Sequence, residues 1–209
     1  MSEEPLPAPE PFLPNTVYTV GHSNQSLDSF LKLLANARID TLADVRSQPA
    51  SRFLPQFDAD ALRDAATNAG IRYIFFGDTL GGRPPERAFY DEAGRVRYDL
   101  VAASERFAGG VEKLLRGVRR GLRVALLCSE ENPLVCHRQL LVGRVLETQH
   151  GVAMQHLRAD GVVQTTIEAH GPATQQSLFD GTGEKGVDKE WKSIPSVLHK
   201  RTPRGSLDG

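Results

Sequence analysis

The chain has 209 residues, 40% hydrophobic and 24% charged, which is enough for one well-buried core with additional segments at its ends. Its formal net charge of -1 gives no general attraction to nucleic acid or anionic membranes, so binding to either would need a local basic patch. With two cysteines, no signal-peptide pattern and no apolar run of about 18 residues, the sequence predicts a cytoplasmic protein without disulfides or membrane spans.

Both ends of the chain lack the composition of a folded segment. Residues 1–14 contain five prolines and three glutamates, which cannot form helix or strand hydrogen bonds over a useful length. Beyond about residue 171 the chain is rich in Gly, Ser, Thr, Gln and mixed charges, and its few apolar side chains cannot offset the entropy lost on folding. We therefore expect a folded domain at residues 15–170, between a disordered lead at 1–14 and a flexible tail at 171–209 that packs on nothing.

The first half of the expected domain alternates strand and helix patterns. Ser26 is placed to cap a helix whose apolar residues recur at helical spacing, and Asp58 is placed to cap a second helix that ends at Gly70. The third strand candidate is a continuous run of β-branched and aromatic residues, which predicts a buried strand. Strands are predicted at residues 16–20, 39–45 and 71–76.

The second half continues the alternation after a long loop at residues 81–98, which is rich in Gly, Pro and Arg. Gly109 and Gly110 are expected to break or weaken the helix that follows this loop. The order of strands and helices predicts an α/β fold, a single three-layer domain with a largely parallel sheet. The remaining elements are helices over about residues 100–120 and 136–149, a strand at 123–127, and a strand pair at 153–157 and 162–167 joined by an Asp-Gly turn.

Polar side chains gather directly after the strand candidates. In a parallel sheet the carboxyl ends of the strands meet at one edge, where open α/β sheets bind ligands, so we expect these residues to converge in one cleft. Polar residues also follow strands simply because loops are polar, but the recurrence of His, Asp, Arg, Cys and Glu favours a functional site. The groups are Gly21-His22-Ser23-Asn24, Asp44-Val45-Arg46-Ser47, Gly77-Asp78 with Gly81-Gly82, and Cys128-Ser129-Glu130.

Short motifs occur in a defined order along the chain: GHSN at residues 21–24, DVRS at 44–47 with Pro49 and Ser51-Arg52-Phe53, LGG at 80–82, and Cys128-x-Glu130 with Cys136-His137-Arg138. Together they resemble the motif set of the domain of unknown function 488 family over roughly residues 16–157, and several motifs in order are more specific than any one alone. The resemblance implies a shared fold and a shared pocket. It names no reaction, so function has to be argued from the site.

Anion recognition is the chemistry that these residues favour most. Guanidinium and imidazole groups, together with backbone amides at the start of the helix near Cys136, suit a phosphate or carboxylate. Arg138 could instead form a structural ion pair with Glu130 or Asp44. The expected ligand-binding residues are His22, Ser23, Asn24, Arg46 and Arg138.

Asp44, Glu130 and Cys128 are the catalytic candidates. A carboxylate in a closed crevice can have its pKa raised and act as a general acid or base. Cys128 could be a nucleophile if cationic neighbours favour its thiolate, although free cysteines commonly serve as small apolar fillers. The signature of cysteine phosphatases, an Arg six positions after the Cys, is absent because Leu134 and Val142 occupy those positions.

The sequence predicts no metal site and no particular cofactor. Cys128, Cys136, His137 and His22 are zinc-type ligands, but the chain has no C-x-x-C or H-x-x-x-H spacing. Ser51-Arg52-Phe53 with Pro55 and Phe57 could stack on and clamp a base. The favoured interpretation of this stretch is packing, in which Phe53 and Phe57 staple the following helix to the sheet.

A short peptide in the tail resembles the motif by which many bacterial replication and repair proteins bind the sliding clamp. Gln175 can fix the register of such a peptide by hydrogen bonds, while Leu178 and Phe179 offer adjacent apolar anchors for a pocket. Gln176 stands where the usual pattern prefers Leu, which should weaken binding. We expect micromolar binding to a bacterial sliding clamp.

Three functional hypotheses follow from the sequence. The first is an enzyme of nucleotide or nucleic-acid metabolism, including DNA repair, that binds a phosphate-bearing ligand at the sheet edge and is recruited to the clamp by its tail. The second is a non-catalytic phosphate-binding or adaptor module that uses the same crevice. The third is a thiol-dependent enzyme or sensor that uses Cys128.

Overall fold

A six-stranded sheet with helices on both sides forms the fold in the computed structural model, which describes residues 15–50, 53–171 and 191–193. The strands are β1 (Thr16–Gly21), β2 (Thr41–Asp44), β3 (Arg72–Phe75), β4 (Val124–Cys128), β5 (Ala153–Leu157) and β6 (Val163–Thr165). Their order is β3-β2-β4-β1-β5-β6, with the first five parallel and β6 antiparallel to β5. The predicted α/β fold with a largely parallel sheet is confirmed.

Helices connect the strands and cover the sheet. Over the part of the chain that the structure describes, no helix is long and apolar enough to cross a membrane. The α-helices are α1 (Leu27–Asn36), α2 (Ala59–Asn68), α3 (Gly77–Leu80), α4 (Tyr98–Ala102), α5 (Glu105–Arg119), α6 (Arg144–His150) and α7 (Thr166–His170). Short 3-10 turns lie at Pro55–Phe57, Arg87–Phe89 and Pro133–Val135, and a π-helical turn lies at Arg138–Gly143.

The central strands divide the buried side chains into two clusters. Successive residues of a strand face opposite sides of the sheet, so neighbours in β1 belong to different clusters. Val20 packs in one cluster with Phe30 of α1, whereas Val17 packs in the other with Leu114 of α5 and Leu146 of α6. The same alternation continues just beyond the strand ends, where the polar residues of the candidate site lie.

The first two helices begin where the sequence predicts, and the second also ends there. Ser26 Oγ accepts a hydrogen bond from the backbone N–H of Ser29 at 3.2 Å and so caps α1. Asp58 occupies the N-cap position of α2. Gly70, after the end of α2, has φ of +77°, a conformation that a residue without Cβ adopts most readily.

The third strand differs from its prediction because it lies at the edge of the sheet. Within the described residues β3 pairs with β2 alone, so one side of its backbone has no neighbouring strand there. Tyr73 and Ile74 are half-buried, and Arg72 and Phe75 are exposed. A strand is present as predicted, but the prediction that it is buried is wrong for Arg72–Phe75. The position of a strand within a sheet depends on contacts between residues that are distant in sequence.

The helix predicted over about residues 100–120 breaks at a different place. α4 ends at Ala102, and α5 begins after Ser104, whose Oγ accepts from the backbone N–H of Phe107 at 3.3 Å. α5 then continues through Gly109 and Gly110 without interruption. A Cβ at Gly110 would come within 2.7 Å of Thr79 Oγ1, so this glycine lets α5 pack closely against α3.

The helix predicted over residues 136–149 starts with a wider turn than expected. The π-helical turn Arg138–Gly143 precedes the regular helix α6. A Cβ at Gly143 would lie 2.2 Å from Oε1 of Gln139, so the glycine makes room for that side chain inside the turn. Single π-helical turns occur often at functional sites, and this one directly follows Cys136 and His137.

Three residues of the predicted tail pack on the domain. The backbone N–H of Tyr98 donates to the carbonyl of Trp191 at 2.8 Å, and that of Ser193 donates to Val96 at 2.9 Å. Trp191 Nε1 donates to the carbonyl of Leu140 at 2.6 Å. The expectation that the tail packs on nothing is therefore wrong for residues 191–193, which Trp191 anchors to the domain.

Candidate functional site

A buried ion pair lies at the carboxyl end of β2. Asp44 is the last residue of β2, and Arg46 follows two positions later on the same side of the sheet. Arg46 Nε donates to Asp44 Oδ1 at 2.9 Å, and Nη2 donates to Oδ2 at 2.6 Å. The forked geometry matches two donors to two acceptors, and both side chains are almost completely buried.

Further hydrogen bonds hold this pair in place. The Tyr73 hydroxyl donates to Asp44 Oδ2 at 2.6 Å, and Arg46 Nη1 donates to the carbonyl of Phe57 at 2.9 Å. Burial works to lower the pKa of Arg46, but the hydrogen bonds and charge of Asp44 outweigh it and leave that pKa raised. Burial, and then the bond to Asp44, also raise the pKa of Tyr73.

His22 completes this group as a neutral imidazole. Its ring stacks on Phe57 with the centroids 4.4 Å apart, and its Nε2 lies 3.3 Å from Arg46 Nη1. Because a guanidinium only donates, Nε2 accepts, and Nδ1 carries the proton that is donated to the carbonyl of Ser23 at 2.9 Å. Burial lowers the pKa of His22 to about 4. We call His22, Asp44, Arg46, Phe57 and Tyr73 the ion-pair side.

Two cysteines and a histidine meet at the carboxyl end of β4. Cys128 ends this strand, and the turn Pro133–Val135 brings Cys136 and His137 back toward it. His137 Nδ1 lies 3.6 Å from Cys128 Sγ and 3.9 Å from Cys136 Sγ. The three donor atoms all lie within 4.8 Å of one another. We call Cys128, Cys136 and His137 the thiol side.

The imidazole of His137 is oriented by the neighbouring strand. Its Nε2 lies 2.9 Å from the carbonyl of Val45, which can only accept, so Nε2 carries the proton. The lone pair of Nδ1 therefore faces the two sulfur atoms. The sequence placed His137 in the Cys-His-Arg motif and among the possible zinc ligands, but it did not predict that His137 would act as a base. Its position beside Cys136 in that motif is the signal that points to it.

The environment of the two thiols differs. The hydrogen bond from Cys136 lowers the pKa of Cys128 to about 7, assisted by the charge of Arg138 and the backbone amides of Glu130 and Ser129, against the effect of burial. Burial, and then the neighbouring Cys128 sulfur, raise the pKa of Cys136. Of the two, Cys128 is the thiol that forms a thiolate near neutral pH.

The LGG motif is packed against the thiol side. A Cβ at Gly82 would lie 2.4 Å from Cγ of His137, so any side chain there would displace the imidazole. A Cβ at Gly81 would lie 2.2 Å from the carbonyl oxygen of Gly77 and 2.5 Å from Ser47 Oγ. Gly82 therefore lets the chain after α3 pass close to His137, and Gly81 lets it pass close to Gly77 and Ser47.

Arg138 holds the loop after β4 in place through hydrogen bonds to its backbone. Its Nη1 donates to the carbonyl of Glu130, its Nη2 donates to the carbonyl of Glu131 at 2.6 Å, and its Nε lies 3.3 Å from Thr19 Oγ1. The side chain is almost completely buried. Its described partners are thus main-chain carbonyls and a hydroxyl, where the sequence suggested a carboxylate of Glu130 or Asp44.

The residues expected in one cleft are divided between the two sides of the sheet edge. Gly21 and Cys128 are paired across β1 and β4, so the side chain of the next residue, His22, lies on the opposite side from Cys128. Asp44 and Arg46 lie with His22. The side chain of Glu130 is exposed, as is that of Asn24, and Ser23 Oγ lies 3.5 Å from Asn24 Oδ1.

Two other predicted features lie wholly or partly outside the described residues. The clamp peptide with Gln175, Leu178 and Phe179 is outside them, and so are Ser51 and Arg52. Phe53 is 88% exposed, whereas Phe57 is buried and packs on His22 and Phe30. The expected packing role is therefore confirmed for Phe57 and wrong for Phe53.

Comparison with known proteins gives a family and no activity. A family model described as "Domain of unknown function DUF488" matches residues 26–145, which include the whole thiol side and every residue of the ion-pair side except His22. No curated protein and no solved structure matches the chain.

Proposed function

The chain belongs to the DUF488 family, and we propose that it is a thiol-dependent enzyme or sensor in which Cys128 is the reacting group. The observation that carries the proposal is the 3.6 Å separation between Cys128 Sγ and the lone-pair nitrogen of His137, whose other nitrogen is held by Val45. A nucleophile, an adjacent base and a third group that orients the base form the arrangement used in nucleophilic catalysis.

The groups around Cys128 support this chemistry step by step. The thiol proton passes to Nδ1 of His137, and the thiolate then forms a bond from Sγ to an electrophilic atom, whose leaving group departs with its electron pair. The hydrogen bond from Cys136 stabilises the thiolate before the attack. In the reducing cytoplasm that the sequence predicts, Cys128 and Cys136 would both persist as free thiols.

The contacts of the two candidate anion-binding arginines favour the thiol proposal over a nucleotide-binding crevice. Arg46 is engaged by Asp44 and Phe57, and Arg138 is engaged by the carbonyls of Glu130 and Glu131. A phosphate would have to displace these partners from buried positions. The nucleotide-binding and clamp-binding hypotheses stay predictions from the sequence.

Alkylation under native conditions tests the proposal. We expect iodoacetamide, a small reagent suited to a largely buried sulfur, to modify Cys128 before Cys136, with the rate rising through an inflection near pH 7. Mass spectrometry of peptides identifies the site. His137→Ala should slow the reaction at least several-fold, whereas His150→Ala, at an exposed position in the last turn of α6, should leave the rate unchanged.

The opposite results are equally clear. A Cys128 that reacts no faster than a free cysteine, with an inflection near pH 8.5, would remove the proposal.

Treatment with hydrogen peroxide tests whether Cys128 acts as a sensor. In a sensor, peroxide oxidises Cys128 to a sulfenic acid, which Cys136 then attacks with loss of water, and the protein product is an intramolecular disulfide that a reductant reverses.

A further inference from the structure

The two nitrogen–sulfur distances within the thiol side are close to those between ligands of one tetrahedral metal ion. With zinc–sulfur bonds of about 2.3 Å and zinc–nitrogen bonds of about 2.0–2.1 Å, a sulfur and a nitrogen ligand lie about 3.6 Å apart and two sulfur ligands about 3.8 Å apart. His137 Nδ1 lies 3.6 Å from Cys128 Sγ and 3.9 Å from Cys136 Sγ. All three donor atoms lie within 4.8 Å of one another, so a single ion could bond to all of them if the two sulfurs approach each other by no more than about 1 Å.

The orientation of His137 is a second, independent feature of a metal ligand. Histidines that bind metals commonly donate their other ring N–H to a carboxylate or a backbone carbonyl, which fixes the tautomer and the direction of the lone pair. The Val45 carbonyl accepts from Nε2 at 2.9 Å and leaves Nδ1 directed at the two sulfurs. Gly82 fits against the same ring, so the imidazole is held in place on another side as well.

We propose that Cys128, Cys136 and His137 bind one soft divalent cation such as Zn²⁺, and that the bound ion blocks Cys128 as a nucleophile. This regulatory role rests on the proposed function, because the ion would use the same thiolate. Two thiolates balance the charge of the ion in a buried site. Three protein ligands leave the fourth tetrahedral position to a water or another small ligand.

Binding has a defined chemical balance. It forms two metal–sulfur bonds and one metal–nitrogen bond, and the thiol protons that remain on Cys128 and Cys136 pass to solvent. The thiolate and imidazole donor set favours Zn²⁺, and Co²⁺ as its spectroscopic substitute, over Mg²⁺ or Ca²⁺, which prefer oxygen ligands. The site would therefore discriminate strongly against the hard divalent cations.

The experiment uses the full chain, untagged and reduced, after removal of metals with a chelator. Titration with Co²⁺ should produce the charge-transfer absorption of thiolate–cobalt bonds and saturate at one ion per chain, and Zn²⁺ should displace it. His137→Ala and Cys136→Ser should each weaken binding about 100-fold or more, while the exposed His150→Ala should not change it. Gly82→Ala keeps every donor and should still weaken binding about tenfold or more, because it displaces the imidazole.

A measurement on the wild-type chain keeps the test independent of variants that fail to fold. Zn²⁺ at one equivalent should protect Cys128 from iodoacetamide, and Mg²⁺ should not. A reactive Cys128 in a chain that gives no Co²⁺ absorption and no Zn²⁺ protection would overturn the metal site and leave the proposed function intact. One-to-one Co²⁺ binding by a chain whose Cys128 is unreactive even without metal would support the site and reject the nucleophile together with its regulation.

Discussion

The two sides of the sheet edge use buried polar groups in opposite ways. On the ion-pair side, Asp44 accepts from Arg46 and from Tyr73, while Arg46 also reaches Phe57, so the charged groups satisfy one another. On the thiol side, the two sulfurs face each other and an imidazole lone pair. Charged groups whose hydrogen bonds are all made to each other stabilise a structure. A nitrogen lone pair and two thiols held close together can instead bind a proton, an electrophile or a metal ion.

The two sides are connected through three consecutive residues of one strand end. Asp44 and Arg46 flank Val45, whose carbonyl accepts the hydrogen bond from His137. The ion pair therefore holds the backbone that orients the imidazole of the thiol side. This connection predicts that damage to the ion-pair side affects stability first and thiol chemistry second, and that damage to the thiol side has the reverse effect.

Replacing Arg46 on the ion-pair side should lower the stability of the fold more than any other change considered below. Arg46→Ala leaves the completely buried carboxylate of Asp44 without its charged partner, which should lower the free energy of unfolding by about 3–5 kcal/mol. Urea denaturation at neutral pH measures the change. The matched control is Arg119→Ala, which removes an exposed ion pair with Glu112 and should cost less than about 1 kcal/mol.

The alternative for Arg46 is a role in ligand binding. In that case Arg46→Ala would lose affinity for phosphate or nucleotides while its denaturation midpoint stayed close to that of the wild type. Such a result would restore the anion-binding crevice predicted from the sequence and would contradict the division into a structural side and a chemical side.

Much of the fold could be predicted from local patterns. The cap at Ser26, the turn at Gly70 and the order of strands and helices depend on residues close in sequence, and all are present in the structure. The edge position of β3 and the docking of Trp191 could not be predicted, because both depend on contacts between distant parts of the chain.

The site was predicted as a set of residues but not as an arrangement. The position of each polar group after a strand could be identified from the sequence. Side chains alternate between the two sides of the sheet along each strand. Gly21 is paired with Cys128, so the next residue, His22, lies on the opposite side from Cys128. To predict this, one must know which residues of the two strands are paired, and the sequence does not give that pairing. The meeting of Cys128 with His137 depends on the turn Pro133–Val135, which follows no metal-binding spacing pattern.

Acid should weaken the ion-pair side through His22. The imidazole titrates near pH 6.5 in the unfolded chain and near 4 in the folded one, so between these values the unfolded chain binds the additional proton. The contribution of His22 to stability is therefore complete above about pH 6.5 and is lost as the pH falls toward 4, by on the order of 3 kcal/mol. Urea denaturation at a series of pH values measures this loss.

A variant is needed to isolate His22, because the pKa of the buried His156 is also lowered to about 4. His22→Gln should be less stable at neutral pH but should lose less stability between pH 6.5 and 4 than the wild type. Equal pH dependence in the two proteins would show that His22 does not stay neutral in the fold.

Tyr73→Phe should separate stability from chemistry. The variant loses one hydrogen bond to the Asp44 carboxylate and keeps the ring, which should lower the free energy of unfolding by about 1.5–2 kcal/mol. The rate of Cys128 alkylation at neutral pH should not change, because Arg46 still holds Asp44. A slower alkylation would show that the two sides are coupled more tightly than the shared strand end implies.

Cys136→Ala should produce the reverse pattern, with the smallest effect on the fold and a selective effect on reactivity. Without the hydrogen bond from Cys136, the pKa of Cys128 should rise from about 7 toward the value of an ordinary thiol. The fraction of thiolate at pH 7, and with it the alkylation rate, should then fall about tenfold. Above about pH 9.5 both proteins are thiolates and their rates should converge. An equal loss of rate at every pH would instead mean that Cys136 shapes access to Cys128 and does not stabilise its thiolate.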